Sequence, residues 1–217
     1  MLKARSNTDL LEGMAMKKVL YIDACMRARS RTAELAAAYI RQVFPENDCS
    51  VQKIRVADLD IAPLSGEDVA ARDADLAAGR TDLPAYALAR KFAAADEIVI
   101  AAPFWDSSFP SKLKVYIEHI CVQSITFGYG ADGRPAKLCK ADRLTYITTA
   151  GGPLRESPAV KRYWEELCGM FGIEDLRFYC AEGLDANPAA AARTLQRTLD
   201  AMLADRARPA KRAAPAG

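Results

Sequence analysis

The chain of 217 residues contains a single histidine, His119, and this scarcity limits the chemistry that its side chains can perform. A mechanism built on histidine as a general base would depend on that one residue, which lies in a stretch of helical periodicity. We interpret His119 as a surface histidine or one whose hydrogen bonds are satisfied. The scarcity favours a reaction carried by a bound cofactor.

Cysteine pairs at metal-binding spacing are also missing. The six cysteines include no C-x-x-C pair, so the spacing argues against a zinc site and we predict no bound metal. A chain of this size does not need a disulfide framework, and we expect most of the thiols to be buried as small apolar groups. The cysteines are Cys25, Cys49, Cys121, Cys139, Cys168 and Cys180.

The sequence lacks a strong net charge and a long apolar run. Thirty basic residues stand against 28 acidic ones, which gives no reason to expect nucleic acid or an anionic membrane as the main partner. No apolar run reaches the roughly 18 residues that span a bilayer. We interpret residues 1–15 as an N-terminal extension without the apolar stretch of a secretory signal, and expect a cytoplasmic protein. Residues 207–217 carry no pattern and are predicted to be a disordered tail.

What the chain does contain is an alternation of short β-rich runs and helical stripes over residues 16–206. Apolar residues at helical spacing follow the strands, as at Leu35, Tyr39 and Val43. This alternation predicts one α/β domain, a doubly wound parallel sheet of five strands with helices on both faces. The predicted strands are residues 18–23, 51–56, 97–101, 144–148 and 176–181.

Two insertions interrupt the alternation. Residues 60–84 are acidic, and we predict an irregular segment there. Residues 124–138 (SITFGYGADGRPAKL) carry an Asp-Gly turn between two short β-like segments, which predicts a hairpin or flap.

The loop after the first strand, residues 24–32 (ACMRARSRT), has the composition of an anion site. Ser30 or Thr32 can cap the following helix, whose free N–H groups and dipole favour an anion at its N-terminus. Three arginines add positive charge, namely Arg27, Arg29 and Arg31. In such a sheet ligands bind outside the carboxyl ends of the strands, so we expect a phosphate here. The alternative is an ordinary capped helix with solvated arginines.

Two more strand ends have the makeup of binding loops. In residues 103–108 (PFWDSS), Phe104 and Trp105 offer planar surfaces to an aromatic ligand, and the N–H groups of Asp106 and Ser107 are candidates to contact its polar ring atoms. In residues 149–152 (TAGG), the paired glycines let the backbone approach a flat ring closely. The alternatives are aromatics packed under neighbouring loops and a simple turn.

Four segments, taken in order, resemble the FMN-dependent NADH azoreductases and NAD(P)H:quinone oxidoreductases of the flavodoxin-like superfamily. They are KVLYID, EIVIAAPFWDSSFPSKLKVYIEHI, TFGYGADGRPAKLCKADRLTYITTAGG and FGIEDLRFYCAEG. The resemblance covers about residues 17–205. The order and spacing of the four segments are much more specific than any one of them.

The resemblance implies a flavodoxin-like sheet with strand order 2-1-3-4-5, FMN as cofactor and NADH or NADPH as co-substrate. It also implies a small aromatic acceptor such as a quinone or azo compound, and a homodimer whose second subunit helps to cover the flavin. By residue, it assigns the phosphate to Cys25, Ser30, Arg31 and Thr32, and the flavin ring to Pro103, Phe104, Trp105, Asp106, Ser107, Thr149, Ala150, Gly151 and Gly152. Phe127 and Tyr129 become candidates for the substrate side, whereas Trp164 and Phe171 are expected in the core. The flavin carries the chemistry, so no catalytic side chain is assigned.

The chain departs from the family's pattern at two of these positions. The family usually has Asn where this chain has Asp106, and Ser where it has Cys25. An aspartate beside the flavin would repel its anionic reduced form, so we expect a lowered flavin potential. Cysteine at position 25 removes a hydroxyl donor to the phosphate, which the arginines are placed to replace.

Two other readings remain open from the sequence. Residues 25–32 also satisfy C-x5-R-[ST], the phosphate loop of low-molecular-weight tyrosine phosphatases and related arsenate reductases, in which Cys25 would be the nucleophile and Arg31 would bind the phosphoryl group. The loop has no internal Gly or Asn, and the chain has no Asp-Pro pair to supply the general acid of those enzymes. The second reading is a non-catalytic, flavodoxin-like electron carrier, although such carriers are usually strongly acidic.

Overall fold

The computed structural model describes residues 16–130, 132–154 and 158–206, so the predicted N-terminal extension and tail lie outside the described residues. The strands are β1 (Lys17–Asp23), β2 (Cys49–Arg55), β3 (Glu97–Ala101), β4 (Phe127–Tyr129), β5 (Pro135–Lys137), β6 (Arg143–Thr149) and β7 (Asp175–Ala181). The five long ones form a parallel sheet in the order β2-β1-β3-β6-β7. This is the predicted 2-1-3-4-5 order, counted without the two short strands.

Helices cover both faces of this sheet, as predicted. They are α1 (Arg31–Val43), α2 (Gly66–Ala77), α3 (Ala87–Ala93), α4 (Ser111–Ile120), α5 (Ala159–Phe171) and α6 (Ala191–Arg206). Within the described residues, no helix is long and apolar enough to cross a membrane.

Alternate residues along each strand belong to two separate hydrophobic cores, one on each face of the sheet. Leu20 and Ile22 of β1 pack with α3, α4 and α5 on one face, whereas Val19 and Tyr21 pack with α1 and α6 on the other. Because β3 is buried along its whole length, its sequence is an uninterrupted apolar run after Glu97. Trp164 and Phe171 are fully buried in the first core, which confirms their structural assignment.

The prediction of an irregular segment over residues 60–84 is wrong for its central part, which forms α2. Ser65 caps this helix: its hydroxyl accepts from the N–H of Asp68, and the Asp68 carboxylate accepts from the N–H of Ser65. This reciprocal capping box starts the helix, and alanines continue it. Arg72 then ties α2 to the end of α4 by donating to the carbonyl oxygens of Glu118 and Cys121.

The hairpin predicted in residues 124–138 is present. Strands β4 and β5 pair antiparallel, and Gly133 takes a φ of 74° in the turn, where the absence of a Cβ removes the strain. The hairpin follows α4, which runs back from the carboxyl ends of the strands, and it packs against the end of α5. A Cβ on Gly172, at the C-cap of α5, would lie 2.8 Å from the Cα of Lys137.

The amino ends of the strands are held together by buried charges. Glu97 is almost fully buried and bonds both Lys17 and Arg206. Asp175 is buried in the same way between Arg143 and Arg177. Because each carboxylate has two cationic partners, the cost of removing it from water is offset, and the last helix is fixed to the sheet.

Candidate functional site

A buried carboxylate at the end of β1 supports the loop that follows this strand. Asp23, the last residue of the strand, accepts a hydrogen bond from the N–H of Cys25 at 3.0 Å and pairs with Lys53 at 2.8 Å. Ser30 then caps α1, with its hydroxyl accepting from the N–H of Ala33. The N–H groups of Arg31 and Thr32 have no acceptor inside the helix, so they are available to an anion.

Arg31 is held by the loop that follows β7. Its guanidinium donates to the Asp185 carboxylate at 2.7 Å and to the Leu184 carbonyl at 3.4 Å. Sequence reasoning missed Asp185 because it considered three strand ends and left out the fifth strand. The position of Asp185 in the loop after a predicted strand is the signal that would have found it.

The loop after β3 turns back on itself through two residues with positive φ. Trp105 and Ser108 exchange both backbone hydrogen bonds, at 3.0 and 2.7 Å, while Asp106 and Ser107 between them have φ values of 49° and 63°. A two-residue turn of this kind requires positive φ at both positions, which Asp tolerates better than Ser. The N–H groups of Asp106 and Ser107 are not used to close the turn. They remain available to a ligand, and such strained pairs often mark a binding site.

The loop after β6 contacts both of the other loops. The N–H of Phe104 donates to the carbonyl of Thr149 at 3.0 Å, and the Thr149 hydroxyl meets that of Thr32 at 2.7 Å. Gly151 accepts from the N–H groups of Asp185 and Ala186. A Cβ on Gly151 would lie 2.3 Å from the Asp185 carboxylate, so any larger residue here would push that side chain aside.

These loops enclose a charged cavity of about 260 Å³, which we call the arginine cavity. Most of the residues assigned to phosphate and ring line it, together with Met26 and Asp185, which were not predicted. Its lining residues are Met26, Arg27, Arg29, Ser30, Arg31, Thr32, Pro103, Phe104, Trp105, Thr149, Gly151 and Asp185. The Arg27 guanidinium lies 5.7 Å from the centre of the Trp105 ring, so the anion loop and the aromatic loop are in direct contact.

A second, more apolar cavity of about 580 Å³ begins on the other side of Phe104, and we call it the apolar cavity. Ser107 lines this second cavity and does not line the arginine cavity. The full lining is Phe104, Ser107, Pro153, Leu154, Pro158, Ala159 and Arg162. Asp106, Ala150 and Gly152 lie in the same loops, but they are not among the described residues that line either cavity.

The structure places Cys25 beneath the loop instead of in the arginine cavity. Its side chain is only 2% exposed, and its thiol lies 3.8 Å from the carbonyl oxygen of Ala101. Burial raises the pKa of the Cys25 thiol to about 12. A thiol nucleophile needs a lowered pKa and access to its substrate, so this geometry argues against the phosphatase reading.

Within one chain, Phe127 and Tyr129 lie on the hairpin, at the opposite end of the domain from the arginine cavity. They line a cavity of about 490 Å³ between the hairpin and the second half of α5. Tyr129 is 66% exposed, so its ring is available to another molecule. The two residues therefore reach a site at the carboxyl ends of the strands only if they belong to a second subunit.

Within the described residues, neither the histidine nor a metal site offers an alternative catalytic centre. His119 Nε2 forms a hydrogen bond with the Ala62 carbonyl at 2.9 Å, and all six cysteines are free thiols. Among residues 16–130, 132–154 and 158–206, no group of His, Cys, Asp and Glu is placed to hold a metal ion.

Comparison with known proteins agrees with the fold. The profile of a family described as having a flavodoxin-like fold matches residues 17–205. An FMN-dependent NADH:quinone oxidoreductase of Clostridium acetobutylicum is 36% identical over 180 residues, which cover 78% of this chain and 88% of that protein. A protein of the same name from Rhizobium meliloti is 32% identical, over 79% of this chain and 88% of its own length.

Solved structures show the same fold at lower identity. The azoreductase of Bacillus anthracis strain Sterne superposes with a TM-score of 0.73 at 21% identity, covering 86% of this chain and 97% of its own. An FMN-dependent NADH-azoreductase of Bacillus anthracis, solved in complex with FMN, gives 0.69 at 20% identity, over 87% and 99% of the two chains.

Proposed function

The chain belongs to the family of flavodoxin-like FMN-dependent NADH:quinone oxidoreductases, and from this premise we propose that it binds FMN and reduces small aromatic acceptors with electrons from NADH or NADPH. The acceptors are quinones, azo compounds or similar flat molecules. The observation that supports this proposal most strongly is the joining of an anion loop and two ring-binding loops in one cavity at the carboxyl ends of the parallel strands.

The residues present fit the phosphate of FMN. The arginine cavity combines the N-terminus of α1 with the side chains of Arg27, Arg29 and Arg31, and among the described residues that line it Asp185 carries the one carboxylate. We assign the phosphate to Ser30, Arg31 and Thr32 through their hydroxyl, guanidinium and backbone donors. The burial of Cys25 leaves that residue a packing role beneath the loop.

The residues present also fit a flat heterocycle. The strained turn leaves two backbone N–H groups available at Asp106 and Ser107, and the contact between Gly151 and Asp185 excludes a side chain between the loops. We assign residues 103–107 and 149–152 to the flavin ring, with Phe104 and Trp105 as its aromatic neighbours.

When bound, FMN supplies two-electron hydride chemistry, and this chain's residues orient the reactants and exclude water. Reduced nicotinamide and the acceptor would then occupy the same site in turn, so we expect ping-pong kinetics. No side chain has to donate or remove a proton in the hydride transfer, in agreement with the hydrogen-bonded state of His119.

A homodimer would complete the site. The exposed ring of Tyr129 and the side chain of Phe127 lie on the hairpin, at the opposite end of the chain from the arginine cavity. We propose that each subunit presents its hairpin to the partner's flavin site and so lines the substrate side. Six free thiols suit the reducing cytoplasm, where reduced nicotinamide is available.

The decisive experiment uses purified full-length protein. We expect flavin absorption bands, FMN released on denaturation, and oxidation of NADH or NADPH with 2-methyl-1,4-naphthoquinone or an azo dye. Reciprocal plots at several fixed acceptor concentrations should give parallel lines, whereas converging lines would contradict the ping-pong order. A colourless protein that does not bind added FMN at micromolar concentration would contradict the proposed function as a whole.

The same preparation separates the other two readings. Release of phosphate from an aryl phosphate, lost in Cys25→Ser, would identify a phosphatase. Bound FMN without any acceptor-dependent oxidation of reduced nicotinamide would identify an electron carrier.

A further inference from the structure

The anion loop, residues 24–32, leaves the sheet through two fixed hydrogen bonds, one of which uses a buried carboxylate. The N–H of Ala24 donates to the carbonyl of Ala101 at 2.8 Å, and the N–H of Cys25 donates to Asp23 Oδ1 at 3.0 Å. A carboxylate that accepts from the N–H two residues further on forms an Asx turn, which sets the direction in which the chain leaves the strand. Because the Asp23 side chain is only 4% exposed, it has little freedom to let the loop take another path.

The other oxygen of the same carboxylate pairs with a lysine on the neighbouring strand. Lys53 Nζ of β2 lies 2.8 Å from Asp23 Oδ2, and it also lies 5.2 Å from the centre of the Tyr21 ring. About half of the Lys53 side chain is exposed to solvent, so this residue can be replaced without emptying a buried position. Neither Asp23 nor Lys53 is among the described residues that line the arginine cavity.

The two charges act with opposite signs on the space beneath the anion loop. Burial is the largest cause of the raised pKa of the Cys25 thiol, and the Ser30 hydroxyl lowers this pKa. Asp23 raises the same pKa, and Lys53 lowers it. All three groups therefore lie close to one atom beneath the N-cap of α1, the helix end to which we assign the phosphate. A buried negative charge at this place opposes a phosphate unless a positive charge compensates it.

We propose that Asp23 and Lys53 are positioning residues of the phosphate site: Asp23 holds the anion loop through the N–H of Cys25, and Lys53 cancels the charge that this anchoring places beneath the phosphate. This inference rests on the proposed function and deepens it, because it gives a lysine outside the cavity a part in selecting FMN over flavins that lack a phosphate. In this assignment neither residue touches the ligand or takes part in electron transfer. Neutralising one of them leaves a net charge beneath the loop, whereas neutralising both leaves none.

The test measures the dissociation constants of FMN and of riboflavin, which lacks the phosphate, on the full-length protein freed of flavin. The measured quantity is the ratio of the riboflavin constant to the FMN constant, because effects on the ring-binding loops cancel in it. We expect Lys53→Gln to lower this ratio about five-fold, as for a partly exposed charge pair, and Lys53→Arg to retain it. The matched control Arg55→Gln removes a positive charge from the same strand, one that is paired with Asp58, and should leave the ratio unchanged.

A double variant separates this charge effect from damage to the structure. Asp23→Asn keeps an oxygen that can accept from the N–H of Cys25 and removes the charge, so it should raise the ratio about five-fold. Combining Asp23→Asn with Lys53→Gln should return the ratio to within about two-fold of the wild-type value, since neither charge then remains.

Two results would overturn the inference: an unchanged ratio in Lys53→Gln, or a double variant whose ratio is as low as that of Lys53→Gln alone. The Lys53 variants change a half-exposed side chain, so they decide the question even if Asp23→Asn does not fold. Failure of the wild type to bind either flavin would instead overturn the proposed function.

Discussion

The two ends of the parallel sheet both carry clustered charges, and they use them differently. At the amino ends, a cavity of about 650 Å³ is lined by acids that all have basic partners, as Glu97 has in Lys17 and Arg206. At the carboxyl ends, the described residues that line the smaller arginine cavity include three arginines and one aspartate. The larger cavity, at the amino ends, is therefore the one whose paired charges stabilise the fold. An imbalance of charge beside free backbone donors marks a ligand site better than size does.

The charged groups at the two ends of the sheet also differ in how deeply they are buried. Glu97 and Asp175 are almost completely buried, so their partners are needed to keep the protein folded. Arg31 and Asp185 are largely exposed on their side chains, so their pairing contributes little to folding and is easily exchanged for another anion. Variants at the amino end should therefore change stability, and variants at the carboxyl end should change binding.

The largest expected effect comes from breaking the amino-end network with Glu97→Gln. Removal of this carboxylate leaves Lys17 and Arg206 without their buried partner, and because both cations keep some exposure to solvent, the free energy of unfolding should fall by about 2–3 kcal/mol. Urea denaturation followed by circular dichroism measures it. The exposed pair of Lys114 and Glu118 provides the control, because Glu118→Gln should cost at most about 1 kcal/mol. Equal losses in the two variants would show that the buried network is not what holds this end together.

The next effect tests the close packing at the carboxyl end with two adjacent glycines. Gly151→Ala places a Cβ 2.3 Å from the Asp185 carboxylate and must displace that side chain from Arg31. We expect a loss of about 1–2 kcal/mol of unfolding free energy. We also expect weaker binding of FMN, measured by quenching of flavin fluorescence, because the added methyl group narrows the arginine cavity that Gly151 lines, an effect opposite to the release of Arg31 from Asp185. Gly152→Ala meets nothing within 4 Å and should change stability by less than about 0.5 kcal/mol. Indistinguishable unfolding curves for the two variants would contradict the close contact.

A smaller effect is expected from the charge in the strained turn. Asp106→Asn keeps a side chain that tolerates the φ of 49° and removes a negative charge beside the proposed flavin ring. Since that charge opposes the anionic reduced flavin, the midpoint potential should rise by about 20–30 mV, equivalent to about 1 kcal/mol for two electrons. Redox titration of the FMN-loaded variant against a dye of known potential measures it. A potential that stays the same or falls would place Asp106 away from the ring.

The sequence predicted what depends on local pattern and missed what depends on contacts between distant segments. The strands β1, β3 and β6 could be located because their apolar runs are buried from both faces. The helix α2 was missed although its capping box, Ser65 with Asp68, is readable in the sequence. Asp185 was missed although it lies in the loop after a predicted strand, but its contact with Arg31 depends on tertiary packing. No spacing in the sequence shows that the Cys25 side chain points into the core.

The smallest effect should come from Asp185→Asn, and it tests the charge imbalance itself. Asp185 occupies the guanidinium of Arg31 at 2.7 Å and places a negative charge on the wall of the arginine cavity. An incoming phosphate must take over that guanidinium and lie near the carboxylate. Removing the charge should therefore tighten FMN binding about two- to five-fold, the range of an exposed ion pair.

Riboflavin, which has the same ring and ribityl chain but no phosphate, is the matched control ligand for this variant. Its dissociation constant should be the same for the wild type and Asp185→Asn, since the carboxylate opposes only the phosphate. High salt should reduce the difference seen with FMN, because the groups involved are exposed to solvent. Equal tightening of both ligands would mean that Asp185 acts on the ribityl chain or ring. Weaker binding of FMN alone would mean that Asp185 holds Arg31 in position for the phosphate, in which case the pair belongs with the structural charges at the amino end.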